Sequence, residues 1–195
     1  RVWGEGGAIC GSRGDRLLFS GLSFAVGQGE ARVLTGPNGS GKSSLLRLMA
    51  SLLPPAQGTL FRDGEDIREA PEEHRSDLHY VGHQDAGKPV LTGAENLAFW
   101  AGIRPVPADI DGALEKLGLA ALADTPARLL SAGQRRRLNL ARLAASPAQL
   151  WLLDEPTVAL DTASVAAMVA LVAEHRALGG MVVVSTHIDL GLDSP

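Results

Sequence analysis

A glycine-rich segment of eight residues carries the clearest chemical signal in the sequence. Residues 36–43 read Gly-Pro-Asn-Gly-Ser-Gly-Lys-Ser, a full match to the phosphate-binding pattern G-x-x-x-x-G-K-[ST]. Its glycines allow successive backbone N–H groups to turn inward around an anion. The Lys42 ammonium would meet the terminal phosphates, and the Ser43 hydroxyl would ligate the Mg²⁺ ion that bridges them. The segment predicts a nucleoside triphosphate site formed by Gly36, Pro37, Asn38, Gly39, Ser40, Gly41, Lys42, Ser43 and Ser44.

Two adjacent carboxylates follow an apolar run later in the chain. Residues 150–153 read Leu-Trp-Leu-Leu, and Asp154 and Glu155 come directly after them. Ligands of parallel α/β sheets bind where the strands end. We expect Asp154 to hold the Mg²⁺ ion through water, and Glu155 to polarise the water that attacks the γ-phosphate. A strand that ends in Asp-Glu is weak evidence alone, and it gains weight from the glycine-rich segment in the same chain.

A second potential anion site begins near residue 130. Residues 130–134 read Leu-Ser-Ala-Gly-Gln at the start of a predicted helix. The Ser131 hydroxyl, the backbone at Gly133 and the helix dipole would form this site. One γ-phosphate does not need two such sites within one chain. The three arginines that follow, residues 135–137, are predicted to lie partly in solvent and partly at a subdomain boundary.

Strand and helix patterns alternate along the chain, which predicts an α/β fold with a mostly parallel sheet. Residues 31–35, 78–81, 150–153 and 181–185 are β-prone, and the Asp-Gly turn at the end of residues 58–64 predicts an antiparallel hairpin at one edge. Helical patterns cover residues 92–100, 110–117 and 132–145, and another helix precedes residue 179. We therefore expect one domain over residues 1–195, with an inserted helical subdomain at about 85–146 and a flexible end at residues 1–7.

The composition is that of an ordinary globular protein and excludes several classes of function. The net charge of −4 provides no basic field for gripping nucleic acid. The single cysteine cannot form an internal disulfide. No stretch reaches the roughly 18 to 20 apolar residues that span a bilayer, so any membrane role is expected to come through a partner.

The motif at residues 130–134 and the order of the other motifs resemble ATP-binding-cassette (ABC) proteins, whose signature reads LSGGQ. The resemblance covers residues 17–192. It implies the P-loop NTPase fold of an ABC cassette, ATP and Mg²⁺ as ligands, and a head-to-tail dimer in which the signature of one copy covers the nucleotide of the other. By position, residues 159–161 resemble the D-loop, and the implied nucleotide contacts beyond the glycine-rich segment are Gln84, Ser131, Gly133, Gln134 and Asp161. The implied catalytic set is Glu155, His187 and Lys42, and the implied metal set is Ser43, Gln84 and Asp154.

Four segments narrow the resemblance to one group of ABC proteins. Residues 18–24, 81–84, 130–137 and 179–187 together resemble the ATP-binding subunits of bacterial cytochrome c maturation systems. This implies a peripheral protein on the cytoplasmic face of the inner membrane, paired with a multi-spanning membrane subunit of the CcmB type. ATP turnover would drive haem export or the release of a haem-loaded chaperone. Phe99, Trp100 and Leu97 are candidates for the groove that receives the membrane partner, or for the core of the helical subdomain.

Three features leave alternatives open. No aromatic residue precedes the glycine-rich segment at the position where ABC proteins stack adenine, and Arg13 near that place could stack on a purine instead, which leaves ATP against GTP undecided. His74, His79 and His83 are read as surface or packing residues, since the chain has no C-x-x-C-H motif. The competing functions are the ATPase of another small-substrate transporter and a soluble ABC ATPase that remodels ribosomes or DNA.

Overall fold

A computed structural model describes residues 2–5, 9–13, 16–104 and 106–192. In chain order, the strands are β1 (Val2–Glu5), β2 (Ile9–Arg13), β3 (Arg16–Leu22), β4 (Ala25–Gly27), β5 (Ala31–Leu34), β6 (Leu60–Arg62), β7 (Glu65–Asp66), β8 (Leu78–Val81), β9 (Leu150–Asp154) and β10 (Met181–Ser185). The α-helices are α1 (Lys42–Met49), α2 (Pro71–Ser76), α3 (Gly93–Ala101), α4 (Ile110–Lys116), α5 (Ala132–Ala145) and α6 (Thr162–Ala177), and two 3₁₀ helices cover Ala120–Leu122 and Ala127–Leu129.

A parallel sheet in the order β5-β10-β9-β8 forms the centre of the molecule. Every residue of β9 and β10 is buried, as expected for parallel strands covered on both faces. Their side chains alternate between two cores. Leu152 and Val183 pack with α1 and the antiparallel strands, whereas Leu153 and Val184 pack with the later helices. The predicted α/β fold with a mostly parallel sheet is confirmed.

A separate antiparallel sheet in the order β4-β1-β6-β7 covers one of these cores. Its last two strands are the predicted edge hairpin, with β6 and β7 paired across Asp63 and Gly64. The expectation of a flexible end at residues 1–7 is wrong for residues 2–5, because β1 pairs with β4 on one side and β6 on the other. Trp3 fixes this strand, with only 3% of its surface exposed. Residues 1, 6 and 7 lie outside the described part of the chain.

The segment between β8 and β9 is helical. A capping box opens α3, the helix predicted over residues 92–100: the Thr92 hydroxyl accepts a hydrogen bond from the Glu95 N–H, and the Glu95 carboxylate accepts one from the Thr92 N–H. Helix α5 ends before Ser146, since Pro147 disfavours helical geometry in the residue before it. The short helix α2 was not predicted, although Pro71 at its first position is a known helix-start signal.

Helix α1 follows β5, and helix α6 precedes β10. The two helices pack against opposite sides of the sheet. Met168 and Val172 form the buried face of α6, which agrees with the predicted spacing. Among the helices that the structure describes, none has the length and apolar character that crossing a membrane requires.

Replacing Leu152 by Ala is expected to lower the free energy of unfolding by about 2–5 kcal/mol, because the change leaves a cavity in a fully buried strand. Urea unfolding followed by circular dichroism measures the change. The matched control is Leu178→Ala, since Leu178 is 81% exposed and its truncation should alter the same quantity by less than about 0.5 kcal/mol. Equal effects from the two substitutions would contradict the placement of β9 in the core.

Candidate functional site

A cavity of about 580 Å³ lies where the strands of the parallel sheet end. The chain leaves β5, β9 and β10 at this same edge, because the three strands run parallel. The cavity brings together the glycine-rich segment, both predicted carboxylates and the predicted histidine. Its lining residues are Asn38, Gly39, Gly41, Lys42, Ser43, Ser44, His83, Asp154, Glu155, Val158 and His187.

The glycine-rich segment adopts the backbone that an anion cradle needs. Gly36, Gly39 and Gly41 have φ angles of 143°, 82° and 96°, which residues with a Cβ rarely adopt. Gly41 is the N-cap of α1, and no side chain caps the helix start. The first N–H groups of α1 therefore have no intrahelical acceptor and face the end of the segment. Lys42 Nζ donates to the carbonyl oxygens of Gly36 at 2.7 Å and Pro37 at 3.1 Å, which places its charge inside the loop.

Ser185 orients the two carboxylates. Its Oγ donates to Asp154 Oδ1 at 2.6 Å and accepts a hydrogen bond from the Glu155 N–H at 3.2 Å. The same N–H donates to the Ser185 carbonyl at 3.0 Å. Sequence reasoning missed Ser185. The available signal was a hydroxyl at the last position of a buried strand, next to the segment that carries His187.

Glu155 occupies an uncommon backbone conformation, with a φ angle of 47°. A non-glycine residue persists in that region only where its surroundings hold it there. The conformation turns the Glu155 side chain toward the cavity, where 17% of it is exposed. The carboxylate is thus accessible to a small reactant while largely screened from bulk water.

His187 joins the loop to the carboxylate. Its Nε2 lies 3.0 Å from Asn38 Oδ1 and 3.1 Å from Glu155 Oε1. Both neighbours are acceptors, so the proton must be on Nε2 for these contacts to be favourable. About half of the histidine side chain is exposed, which leaves it able to turn toward a bound molecule.

Gln84 lies on a second cavity of about 790 Å³ that adjoins the first. Ser43 and Asp154 line both cavities, so the three predicted metal residues share one boundary. Gln84 itself is exposed at the surface. Gln84 thus lines the same cavity as Ser43 and Asp154, and the metal set stays a prediction.

The predicted signature residues lie elsewhere. Within the described part of the chain, Ser131, Gly133, Gln134 and Asp161 line neither of these two cavities. The Ser131 hydroxyl accepts from the Gln134 N–H at 3.2 Å, and the Gln134 side-chain oxygen accepts from the Ser131 N–H at 2.8 Å, which forms a capping box for α5. Asp161 caps α6 by accepting from the Ser164 N–H at 2.8 Å, and the bonds from Ser164 lower the pKa of Asp161.

Gly133 has a packing role that its place in the motif did not indicate. A Cβ added at this residue would lie 2.9 Å from the carbonyl oxygen of Ala159. A side chain at residue 133 would therefore push the start of α5 away from the segment that leads to α6. The glycine allows the signature segment (residues 130–134) and the segment before Asp161 to pack tightly within one copy of the chain.

Of the three histidines predicted to be surface or packing residues, two are packing residues. His79 Nε2 bonds the Ser146 carbonyl at 2.8 Å. Burial lowers the pKa of His79 to about 3, and the charge of the nearby Arg104 guanidinium is the second cause. His74 bonds the Met49 carbonyl at 2.7 Å, and burial lowers its pKa as well. His83 is exposed on the first cavity. No group of three or more His, Cys, Asp or Glu side chains that could hold a metal ion occurs among the described residues.

The base-stacking question falls largely outside the described residues. Gly14 and Asp15 lie outside the described residues. Arg13 is described as the last residue of β2 and no further. The proposed stacking of Arg13 on a purine stays a prediction.

Comparison with known proteins places these observations in one family. A family model described as "ABC transporter" matches residues 19–158. The chain is 56% identical over 185 residues to the cytochrome c biogenesis ATP-binding export protein CcmA of Paramagnetospirillum magneticum, covering 92% of this chain and 85% of that one. It is 58% identical to the protein of the same name from Rhodospirillum rubrum, covering 92% of this chain and 78% of that one.

Solved structures share the fold. A Pyrococcus furiosus protein described as a putative ABC transporter ATP-binding protein superimposes with a TM-score of 0.84 at 22% identity, covering 97% of this chain and 92% of that one. A second cassette superimposes with a TM-score of 0.83 at 24% identity, covering 98% of this chain and 90% of that one. The second is described as a dimer in a post-hydrolysis state bound to ADP and Pi.

The free energy of unfolding is expected to fall as the pH is lowered from about 6.5 toward 3. His79 is neutral in the folded chain, so the unfolded chain binds a proton that the folded chain excludes. Each such proton contributes a slope of about 1.4 kcal/mol per pH unit. His79→Gln has an amide that can keep the bond to the Ser146 carbonyl and the bond that His79 Nδ1 accepts from Arg104 Nη2 at 3.2 Å. This variant should reduce the slope by about one proton in urea titrations at several pH values. His83→Gln is the matched control at an exposed position, and an unaltered slope in His79→Gln would contradict the buried neutral histidine.

Proposed function

Because the chain belongs to the ABC transporter family and, within it, to the CcmA proteins of cytochrome c biogenesis, we propose that it hydrolyses ATP to drive a membrane complex in the biogenesis of c-type cytochromes. The process that ATP hydrolysis drives is the export of haem or the release of a haem-loaded chaperone. One observation carries the proposal: Lys42, Glu155 and His187 surround a single cavity at the carboxyl edge of the sheet. The chain acts as one nucleotide-binding domain over residues 1–195, with a helical subdomain at about 85–146.

The proposed reaction is the attack of water on the γ-phosphorus of ATP. The loop N–H groups and the Lys42 ammonium hold the β- and γ-phosphates. The Glu155 carboxylate accepts a proton from the attacking water as the new P–O bond forms and the bond to the bridging oxygen of ADP breaks. The His187 Nε2–H, now directed at Glu155 and Asn38, turns to donate to a γ-phosphate oxygen. These steps yield ADP and inorganic phosphate.

The residues present fit a bound Mg²⁺ ion. The Ser43 hydroxyl, the Asp154 carboxylate and the Gln84 amide are oxygen donors of the kind Mg²⁺ prefers, and they border adjoining cavities. The bond from Ser185 to Oδ1 fixes the Asp154 carboxylate, which lines both cavities. When bound, the ion would neutralise the charge that develops on the phosphates.

A second copy of the chain completes the proposed site. Ser131, Gly133, Gln134 and Asp161 lie away from the loop of their own chain, and Ser131 is exposed at the start of α5. The uncapped N–H groups of that first turn would reach the γ-phosphate held by the other copy. The two copies associate head to tail around two ATP molecules. No nucleic acid takes part, in keeping with the net charge of −4.

The proposed membrane partner is a CcmB-like multi-spanning subunit, which holds the chain at the cytoplasmic face of the bacterial inner membrane. A cavity of about 280 Å³, lined in part by Leu97 and Trp100, offers a groove for it. Phe99 is 42% exposed beside this groove, whereas Leu97 is 1% exposed and belongs to the core. The Arg142 guanidinium lies 3.8 Å from the centre of the Trp100 ring and holds that ring in place.

Glu155→Gln is expected to lower kcat for ATP hydrolysis by about 100-fold or more, because the amide cannot accept the proton of the attacking water. The nucleotide Kd should stay within about threefold, since the loop supplies most of the binding. Phosphate release and fluorescent-nucleotide binding measure the two quantities, and size-exclusion chromatography with ATP should show an enriched dimer. Glu174→Gln is the control, because Glu174 is an exposed carboxylate paired with Lys116. Hydrolysis at the wild-type rate in Glu155→Gln would refute the assigned base.

Co-expression with the CcmB-type subunit of the same bacterium tests the membrane role. We expect the two proteins to co-purify from detergent-solubilised membranes. Trp100→Ala should lower the recovered ratio several-fold, because it removes a wall of the groove. The control Trp3→Phe changes an indole in the distant antiparallel sheet and should leave the ratio unaltered. Stable recovery with the membrane subunit of a substrate-binding-protein-dependent importer instead would overturn the cytochrome assignment.

A further inference from the structure

Arg136 is a buried cation in the first half of α5, two residues beyond the signature segment. Only 3% of it is exposed. Burying a guanidinium is costly unless hydrogen bonds satisfy its donors, and an apolar residue could fill such a place at lower cost. A buried arginine at this place is therefore expected to have a role at the groups that its guanidinium contacts.

The guanidinium donates to carbonyl oxygens from two other parts of the chain. Nη2 donates to Glu155 at 2.8 Å and to Asp154 at 3.1 Å, and Nε donates to Pro156 at 3.3 Å. Nη1 donates to Gly82 at 2.8 Å, and it lies 3.7 Å from Asp85 Oδ1. One side chain thus bonds the turn after β9 (residues 154–156) and the segment after β8 (residues 82–85).

These two segments carry the proposed base, Glu155, and the proposed metal ligand Gln84. Glu155 is held in its uncommon φ of 47° by hydrogen bonds on both sides. Ser185 bonds its N–H, and Arg136 bonds its carbonyl oxygen. Gln84 lies between Gly82 and Asp85, the two residues of its segment that Arg136 contacts.

The neighbouring arginines make no comparable connection. Arg135 Nη1 donates to the Leu130 carbonyl at 2.6 Å, within the signature segment. Arg137 Nη1 donates to the Leu117 carbonyl at 3.1 Å, within the helical region. Within the described part of the chain, Arg136 is the one of the three consecutive arginines whose hydrogen bonds reach from the helical region to the edge of the sheet.

We propose that Arg136 is a positioning residue for ATP hydrolysis, which fixes the Glu155 turn and the Gln84 segment relative to the signature helix α5. The inference rests on the proposed ATPase function and extends it. When the start of α5 engages the nucleotide of a second copy, the guanidinium carries the displacement of that helix to the base and to Gln84 of its own chain. Arg136 touches neither ATP nor water in this scheme.

The experiment compares Arg136→Gln and Arg136→Lys with the wild-type chain. We expect Arg136→Gln to lower kcat by roughly 10- to 100-fold, because misplacing a catalytic group by about 1 Å costs up to two orders of magnitude. The KM and the nucleotide Kd should change by less than about threefold, since the loop is untouched. Arg136→Lys should recover part of kcat, because an ammonium can still donate to the carbonyls but cannot span all of them.

A matched control separates positioning from general stability. Arg176 also donates to a main-chain carbonyl, that of Gly29 at 2.9 Å, in a part of the fold away from the cavity. Arg176→Gln should lower the unfolding midpoint and leave kcat per folded molecule within about twofold. If Arg136→Gln does not fold, Arg136→Lys carries the test with the same readouts.

A double-variant cycle with Ser185→Ala adds a second readout. Both side chains hold the Glu155 turn, so their effects on kcat should be non-additive. Values of kcat within twofold of wild type in the Arg136 variants, losses in kcat and Kd of equal size, or additive effects with Ser185→Ala would each overturn the inference. Absence of ATPase activity in the wild-type chain would instead refute the proposed function, while activity that depends on Glu155 and not on Arg136 would refute only the positioning role.

Discussion

The register between β9 and β10 pairs Asp154 with Ser185, and the candidate site depends on this pairing. The bond from Ser185 Oγ to Asp154 exists only because the two strands end level with each other. A slip of one residue would reverse the faces of an entire strand, which would exchange the side chains of the two cores and bring Asp154 to the wrong side of the sheet. Burial of both strands on both faces prevents that slip, so the hydrophobic pattern of the sheet fixes the positions of the polar groups at its edge.

The same edge explains why so few residues suffice for the proposed chemistry. Adjacent parallel strands release their next residues side by side, which brings the glycine-rich segment to one cavity with Glu155 and His187, although the segment lies more than a hundred residues before them in the chain. Glu155 directly follows the buried strand β9, and His187 lies two residues after the buried strand β10. Short connections leave little freedom, and the remaining strain falls on Glu155, whose backbone is held by Ser185 and Arg136.

Local signals in the sequence predicted what local physics determines. Residues 36–43, the helix starts at Thr92 and Ser131, and the buried runs of β9 and β10 each depend on neighbours a few residues away, and the structure contains them. Strand β1 could not be predicted, since its four residues are ordered by β4 and β6 rather than by their own pattern. The roles of Ser185 and Arg136 were missed for the same reason: their partners are about thirty and up to fifty-four residues away. Resemblance supplied Gln84 and His187, which no spacing argument singles out.

The start of α5 serves the fold before it serves any nucleotide. The Ser131 hydroxyl and the Gln134 amide already cap their own helix, and Gly133 packs under the Ala159 carbonyl. This close contact ties the signature segment to the chain that leads to Asp161. The two groups that a second copy is proposed to contribute therefore move as one body. Because α5 also carries Arg136, the helix that is proposed to meet a nucleotide on the neighbouring copy is bonded to the turn that carries the proposed base of its own chain. Closure of either proposed site then bears mechanically on the other.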